Sequence, residues 1–276
     1  VAGGKMKKKL LAYLACYKCG KDLVLSVNNI KNNEIIDGIL TCKHCSINFS
    51  IKRGIPRILP KHSQKDEIAE RFGYEWKNYP ELLNTYRDQF LDWLKPIKPS
   101  FFKNKIVIDV GCGMGRHAYY SHEFGAKEVI TFDLSNAVEA AYENTKNFNN
   151  VHVVQADIFN LPFKKGIADF IYSIGVIHHL RDPEGGFRSL LKLLKKNGTI
   201  HVWVYGNQSI IIRMFASIRN KFIRKLPVGL LKLFGTIITL LLYPIIKLVY
   251  GPLNGSFKKI ANMLPQNQFF YYLSNF

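Results

Sequence analysis

The chain has 276 residues, 47% of them hydrophobic and 13% aromatic, and a formal net charge of +19. That length and apolar share suit a globular core, organised as one large domain or as a medium domain with a small appendage. The charge is uneven: +10 over residues 1–65, −4 over 66–184, and +13 after Glu184, where no acid occurs. An ordinary soluble middle therefore lies between two cationic ends. Such ends favour anionic partners: RNA, acidic lipid headgroups or an acidic protein.

Lys5 to Lys9 and the apolar run Leu10 to Ala15 superficially suggest a signal peptide. The run is too short and leads straight into Cys16, so that reading is rejected. Cys16-x2-Cys19 and Cys42-x2-Cys45 are two thiolate knuckles separated by 22 residues. Two such pairs without a secretion signal argue against disulfides and for reduced thiols holding a metal, with the cytoplasm as the expected compartment. Four sulfurs are the tetrahedral set of a closed structural zinc site, which would hold the fold rather than catalyse. A hairpin of Leu23 to Val27 and Gly38 to Thr41 spans the gap, and His44 is read as a bystander. Residues 1–62 are assigned to this ribbon.

Leu14-Ala15-Cys16-x2-Cys19-Gly20, Gly38-x-Leu40-x-Cys42-x2-Cys45 and the tail Phe49-Ser50-Ile51-x2-Gly54-Ile55-Pro56-x-Ile58-Leu59-Pro60 resemble the small zinc-ribbon family that includes methyltransferase activator subunits. That resemblance implies a ribbon attached to, or paired with, a methyltransferase.

Residues 63–206 read as a core domain. Glu67 to Phe72 and Leu82 to Leu94 have helical periodicity, and in the second Leu83, Tyr86, Phe90, Trp93 and Leu94 share a face. Strands are expected at Ile106–Val110, Glu128–Phe132, Val151–Gln155, Ala168–Ile174 and Thr199–Tyr205. Helices are expected after the first strand, over Ala137–Lys146 and over Phe187–Leu194, the last closed by Lys195-Lys196-Asn197-Gly198. Runs such as Ile106-Val107-Ile108 and Phe170-Ile171-Tyr172 are apolar on both faces, as central parallel strands are. The alternation predicts a doubly wound, Rossmann-like α/β sheet.

The first strand runs into Gly111-Cys112-Gly113-Met114-Gly115. Glycine permits positive φ and lets a ligand approach the backbone, and the following helix presents free N–H groups at its start. A strand, glycine loop and helix in series make a cofactor cradle, although a plain tight turn has the same local sequence. Three acids fall at strand ends: Asp109 before the loop, Asp133 after the second strand and Asp157 after the third. Asp133 stands where an acid can accept from ribose hydroxyls, and Asp157 where one can face an adenine amino group with Ile158 beside the ring. Alone, Asp133 could be a helix N-cap. Arg116 occupies the place where a nicotinamide fingerprint would carry its third glycine.

Val107 to Gly115, Phe132-Asp133-Leu134-Ser135, Gln155-Ala156-Asp157-x3-Leu161-Pro162-Phe163 and Asp169-x3-Ser173-x4-His178-His179-Leu180 resemble the successive motifs of class I S-adenosylmethionine-dependent methyltransferases. The resemblance implies an S-adenosylmethionine site in which Asp109, Gly111, Cys112, Gly113 and Gly115 hold the methionine part. Asp133 and Leu134 would hold the ribose and Asp157 and Ile158 the adenine, with Ser173 beside them. Methyl transfer is an in-line displacement with a neutral leaving group, so the protein mainly aligns and excludes water. An acceptor that carries a proton also needs a base, and His178 and His179 are the nearest candidates. The absence of Asp/Asn-Pro-Pro-Tyr after the fourth strand disfavours exocyclic amino acceptors. Cys112, lying in the glycine loop, is an improbable thiolate nucleophile.

Residues 207–276 differ in composition. Ile211, Met214, Phe215, Ile218 and Phe222 form an apolar face among basic residues, and Leu226 to Tyr250 is nearly all apolar, with Lys232, Lys247 and Pro244 inside it. The uncharged run is too short for a bilayer span and reads instead as a basic helical insertion at a membrane surface. The expected acceptor is therefore a small hydrophobic or lipid-linked molecule, with peripheral contact at the inner face of the membrane through residues 207–250. An RNA base is the second reading and a non-catalytic S-adenosylmethionine-binding adaptor the third. Nothing after Tyr205 resembles the antiparallel strands that usually close such a sheet, and Gln268 to Leu273 makes at most one short strand. The chain is therefore expected to be incomplete at its C-terminus.

Overall fold

In the computed structural model, which describes residues 6–31, 34–60, 67–206 and 228–250, the chain divides into a unit of residues 1–204 and another of residues 205–276. The first opens with a short 3-10 turn (Lys8–Ala12) and four strands: β1 (Val24–Lys31), β2 (Glu34–Cys42), β3 (Ile47–Lys52) and β4 (Ile55–Ile58). Helices α1 (Glu67–Asn78) and α2 (Thr85–Trp93) lead to β5 (Ile106–Val110), α3 (Arg116–Glu123), β6 (Glu128–Asp133), α4 (Val138–Thr145) and β7 (Val151–Ala156). Then come β8 (Ala168–Ile174), α5 (Pro183–Leu191) and β9 (Leu194–Trp203).

Strands β7-β6-β5-β8-β9 lie in that order and pair in parallel, so the winding direction reverses at β5 and β8. This is the doubly wound sheet that the alternating pattern predicts, and the reversal opens a crevice at the carboxyl ends of the strands. Successive residues point to opposite faces. Ile108, Ile130, Val154 and Ile171 enter one core, while Val107, Val129, Phe170 and Tyr172 enter another with Phe90 and Leu94 of the α2 segment and Phe102. Burial on both faces is why these strands lack polar alternation.

The ribbon does not stand apart from this sheet. Its last strand, β4, pairs in parallel with β7, Arg57 opposite Gln155 and Ile58 opposite Ala156, and β1 to β3 extend the sheet antiparallel beyond it. Arg57 donates to Gln155 Oε1 at 3.0 Å and to Glu139 Oε1 at 3.3 Å. Lys7 Nζ donates to the Val151 carbonyl at 2.9 Å, and Lys9 pairs with the buried Glu128, whose other oxygen contacts His152 Nε2 at 2.8 Å. Ile58, Leu14 and Phe49 of the ribbon share one core with Phe132 and Val154. Joining the edge in this way covers a row of backbone groups on β7 that would otherwise face water.

Several boundaries differ from the periodicity: α1 runs to Asn78 rather than Phe72, and α2 starts at Thr85 rather than Leu82. α5 stops at Leu191 and β9 starts at Leu194, so Lys195 to Gly198 is not a helix stop. Leu194 pairs with Ala168 and Thr199 with Phe170, leaving residues 195–198 as a bulge. Buried Leu190 and Leu193 anchor the turn, and Lys195 is held by Asp169 at 2.8 Å. Tertiary anchoring overrides the local stop signal. In the second unit, α6 (Val228–Tyr250) contains Pro244 and exposes Leu230, Leu233, Leu240 and Leu241. The amphipathic stretch 211–222 and the short strand expected at 268–273 lie outside the described residues.

Ribbon and core should unfold together because they share one sheet and one core. Ile58→Ala is expected to destabilise the unit by about 2–5 kcal/mol. Urea denaturation should show a single transition moving to lower urea, not a separate early step.

Candidate functional site

The glycine loop leaves β5 and turns back over the end of β6. The Gly111 and Cys112 amides both donate to the Phe132 carbonyl, at 2.9 and 3.0 Å. Gly113 and Gly115 have φ of 51° and 82°, which disfavours any side chain there. A Cβ on Gly115 would also lie 2.8 Å from the Ala141 backbone, so α3 and α4 pack at this distance because the residue is glycine. Asp133 fastens the loop: its Oδ2 accepts from the Gly113 amide at 3.0 Å. Its Oδ1 accepts from the Ser135 amide and hydroxyl at 2.8 and 2.7 Å.

The other acids hold different positions. Asp109 is buried beneath the loop, 1% exposed, and accepts from the Thr131 hydroxyl at 3.0 Å. Burial pushes its pKa up to about 7, with the Asp133 carboxylate adding to the rise and the Thr131 hydrogen bond opposing it. Asp157 follows β7, half-buried, and closes a turn by accepting from the Phe159 amide at 3.0 Å and the Asn160 side chain at 2.9 Å. Ile158 beside it is buried. Leu134 is half-buried, and its carbonyl accepts from Gln155 at 3.0 Å. Ser173 is fully buried between β8 and β5, its hydroxyl 3.5 Å from the Val110 carbonyl. Cys112 is buried in a cluster that includes Ile55 of the ribbon, and burial raises its thiol well above its ordinary range. The structure thus joins Gly113 to Asp133 directly, while Asp109 and Ser173 lie below the loop.

His178 and His179 sit in a 3-10 turn (Ile177–His179) just past β8, their ring centres 4.1 Å apart. Burial lowers both pKa values, and the proximity of His179 lowers that of His178 further, so both imidazoles are neutral at pH 7.

Sequence reasoning read a helix only over Glu67 to Phe72 and gave it no part in the site; α1 runs on to Asn78 and covers this edge. Phe72 packs against His179 with ring centres 5.3 Å apart, and a Cβ on Gly73 would meet the Ser135 Cβ at 2.9 Å. Trp76 lies over the loop, its Nε1 2.9 Å from where a Gly113 Cβ would be. Arg116, the first residue of α3, is flanked by the rings of Trp76, Tyr86 and Trp93 at 5.2, 4.8 and 5.4 Å. The glycine inside α1 was the available signal, because glycine in a helix interior costs about 1 kcal/mol and persists where something packs closely.

The Sγ atoms of Cys16, Cys19, Cys42 and Cys45 all lie within 4.8 Å of one another and could hold a metal ion. Tetrahedral zinc with Zn–S of about 2.3 Å needs sulfurs roughly 3.8 Å apart, which this cluster fits. The Cys45 amide points at Cys42 Sγ at 3.4 Å. The sulfurs divide their protons unequally. The Lys21 amide and neighbouring thiols lower Cys19 to about 6, while hydrogen bonding to Cys19 and burial push Cys45 up to about 12.

A doubly wound sheet with a glycine cradle at its reversal point, fastened by an acid on the next strand, has the class I methyltransferase architecture. Residues 108–202 match the family model described as a methyltransferase domain. A tRNA U34 carboxymethyltransferase of Pseudoalteromonas translucida is 27% identical over 174 residues, covering 57% of this chain and 52% of that protein. Another of that name, from Sulfurimonas denitrificans, is 26% identical over 194 residues, covering 65% and 62%. The chain therefore spans only about half to three-fifths of the length of these relatives. A Methanococcus maripaludis structure, provisionally described as an S-adenosyl-L-methionine-dependent methyltransferase, is 19% identical with a TM-score of 0.44, covering 65% of this chain and 87% of that one.

These relatives correct one expectation. The apolar, basic segment pointed to a small or lipid-like acceptor with peripheral membrane contact through 207–250, and RNA came second; the relatives are named for tRNA. Lysine and arginine attract the phosphates of lipid and nucleic acid alike, so composition could not rank the two. No helix among the described residues is long and apolar enough to cross a membrane.

Two measurements check this geometry. Between about pH 4 and 7 the folded protein keeps a proton on Asp109 that the unfolded chain has released, so this group's stabilising contribution is present in acid and lost as pH rises through 7. Wild-type melting temperature should therefore fall relative to Asp109→Asn as pH is raised from about 5 to 8. Separately, Gly113→Ala should cost less stability in a Trp76→Ala background than in wild type, because the indole clash is gone and only the φ strain remains. A double-mutant cycle of urea midpoints reads that difference.

Proposed function

We propose that this protein is an S-adenosylmethionine-dependent methyltransferase whose acceptor is an RNA, with tRNA as the class to test first. The observation that carries the reading is the fastened glycine cradle at the sheet's reversal point, taken with relatives named for tRNA modification. Gly111 to Gly115 would hold the methionine part of the cofactor, Asp133 its ribose, and Asp157 and Ile158 its adenine. A carboxylate accepts about four hydrogen bonds, and Asp133 holds three, which leaves Oδ2 capacity for a ribose hydroxyl. Asp109, buried beside the loop and raised to about 7, would ionise more fully when a cationic group binds nearby. Bound S-adenosylmethionine supplies an electrophilic methyl carbon on a sulfonium.

The chain's own contribution is alignment and exclusion of water, for which α1 over the loop is suited. His178 and His179, kept neutral by burial, are the candidates for accepting a proton from the acceptor. The four cysteines would hold zinc as a structural ion, four sulfurs leaving no open coordination position.

The test is transfer of radiolabelled methyl from S-adenosylmethionine into purified tRNA, ribosomal RNA and a small-molecule extract. Label in RNA, tRNA foremost, is expected. Label confined to small molecules would overturn the reading. Asp133→Ala should weaken cofactor binding at least roughly tenfold by calorimetry, the scale of one lost charge-assisted hydrogen bond or more.

A further inference from the structure

The strand registers place the cysteine cluster on a particular edge of the sheet. β4 runs parallel to β7 with Ile58 level with Ala156, so the carboxyl end of β4 lies on the edge that carries the glycine loop, Asp133 and Asp157. β3 runs the other way, with Ser50 opposite Arg57, which puts its first residues beyond Ile58 on that same edge. Cys42 at the end of β2 pairs with Ile47 at the start of β3, and Val24 at the start of β1 pairs with Thr41. Both knuckles, Cys16 to Cys19 before β1 and Cys42 to Cys45 between β2 and β3, therefore crown the edge that holds the cofactor cradle.

The knuckles carry exposed Lys18, Lys21 and Lys43. The nearby acid, Asp22, is offset by Lys164 at 2.8 Å. At about 4.8 Å per strand, β2 lies roughly 14 Å from β7 and 24 Å from β5. Twist between neighbouring strands bends this edge into a curved rim. A reach of about 24 Å is on the order of seven stacked nucleotides at about 3.4 Å each. Between knuckles and cradle, Phe159 stands two residues past Asp157 and is 45% exposed, a side chain on which an unpaired base can stack.

We propose that the knuckle end of the ribbon is the docking rim for the RNA substrate: Lys18, Lys21 and Lys43 hold phosphates and Phe159 receives a base on the way to the cradle. This rests on the RNA reading above. The metal's role in it is to fix the knuckles, and with them the lysines, on the edge where transfer occurs.

The opposite edge supplies a matched control. Lys52 ends β3 there, and Lys8 follows Met6, which bridges Ile35 near the start of β2; both are exposed. Lys18→Glu/Lys43→Glu and Lys8→Glu/Lys52→Glu change the net charge equally. RNA affinity of the full chain, loaded with zinc, is measured by filter binding at rising salt, using whichever RNA wild type methylates. Cofactor affinity, zinc content and melting temperature are measured on the same samples.

The knuckle pair is expected to weaken RNA binding roughly tenfold or more and to lower the salt slope by about 1.5 to 2, with cofactor affinity and zinc content unchanged. The control pair is expected to leave the affinity within about threefold. Phe159→Ala should raise KM for RNA without altering S-adenosylmethionine binding. Equal losses in both lysine pairs would mean diffuse cationic attraction and would overturn the rim, as would no loss in the knuckle pair. If wild type labels no RNA at all, the RNA reading itself has failed, a result separable from failure of the rim.

Discussion

One hydrogen bond across two strand ends organises the cradle: the Gly113 amide donating to Asp133 at 3.0 Å. It bends the loop after β5 over the end of β6, and with the Phe132 carbonyl, which accepts from two loop amides, it fixes where α3 begins. The loop can take this path because its glycines adopt positive φ and because Gly115 lets α3 approach Ala141. Placed below, Asp109 is screened from water and held partly protonated at neutral pH. Burial is the largest cause of its raised pKa, and the neighbouring Asp133 carboxylate adds to it.

The second constraint is the parallel pairing of β4 with β7. It makes the ribbon an extension of the sheet that carries the glycine loop. Ile55 reaches from β4 into the cluster that contains Cys112, Val138 and Ala141. A free ribbon would need its own core, which some fifty residues scarcely provide.

Much of the cradle was legible beforehand. The glycines, the acids at strand ends and the paired cysteines are local patterns, and the strands carrying them are short apolar runs with clear boundaries. The sheet order and the reversal point follow from alternating strands and helices under the rule that crossovers are right-handed. The α5 to β9 boundary was misread because Lys-Lys-Asn-Gly is a good helix stop by composition, while buried Leu190 and Leu193 make the turn earlier. The role of α1 was missed because its exposed face is polar and its contacts, Trp76 on Gly113 and Phe72 on His179, join residues far apart in sequence. The acceptor was misjudged because a basic, greasy segment describes a phosphate-seeking surface without saying whose phosphate.

By itself the sequence determined the class of fold, the position of the glycine loop and the cysteine set that could hold a metal, since each depends on backbone preference or ligand chemistry confined to a few residues. Only the tertiary structure decided which edge of the sheet the ribbon joins, which acid is buried and which fastens the loop, and that the cysteine knuckles share an edge with the cradle. Those outcomes depend on strand pairing between segments about a hundred residues apart, and the pairing is selected by burial of the whole core rather than by any local signal.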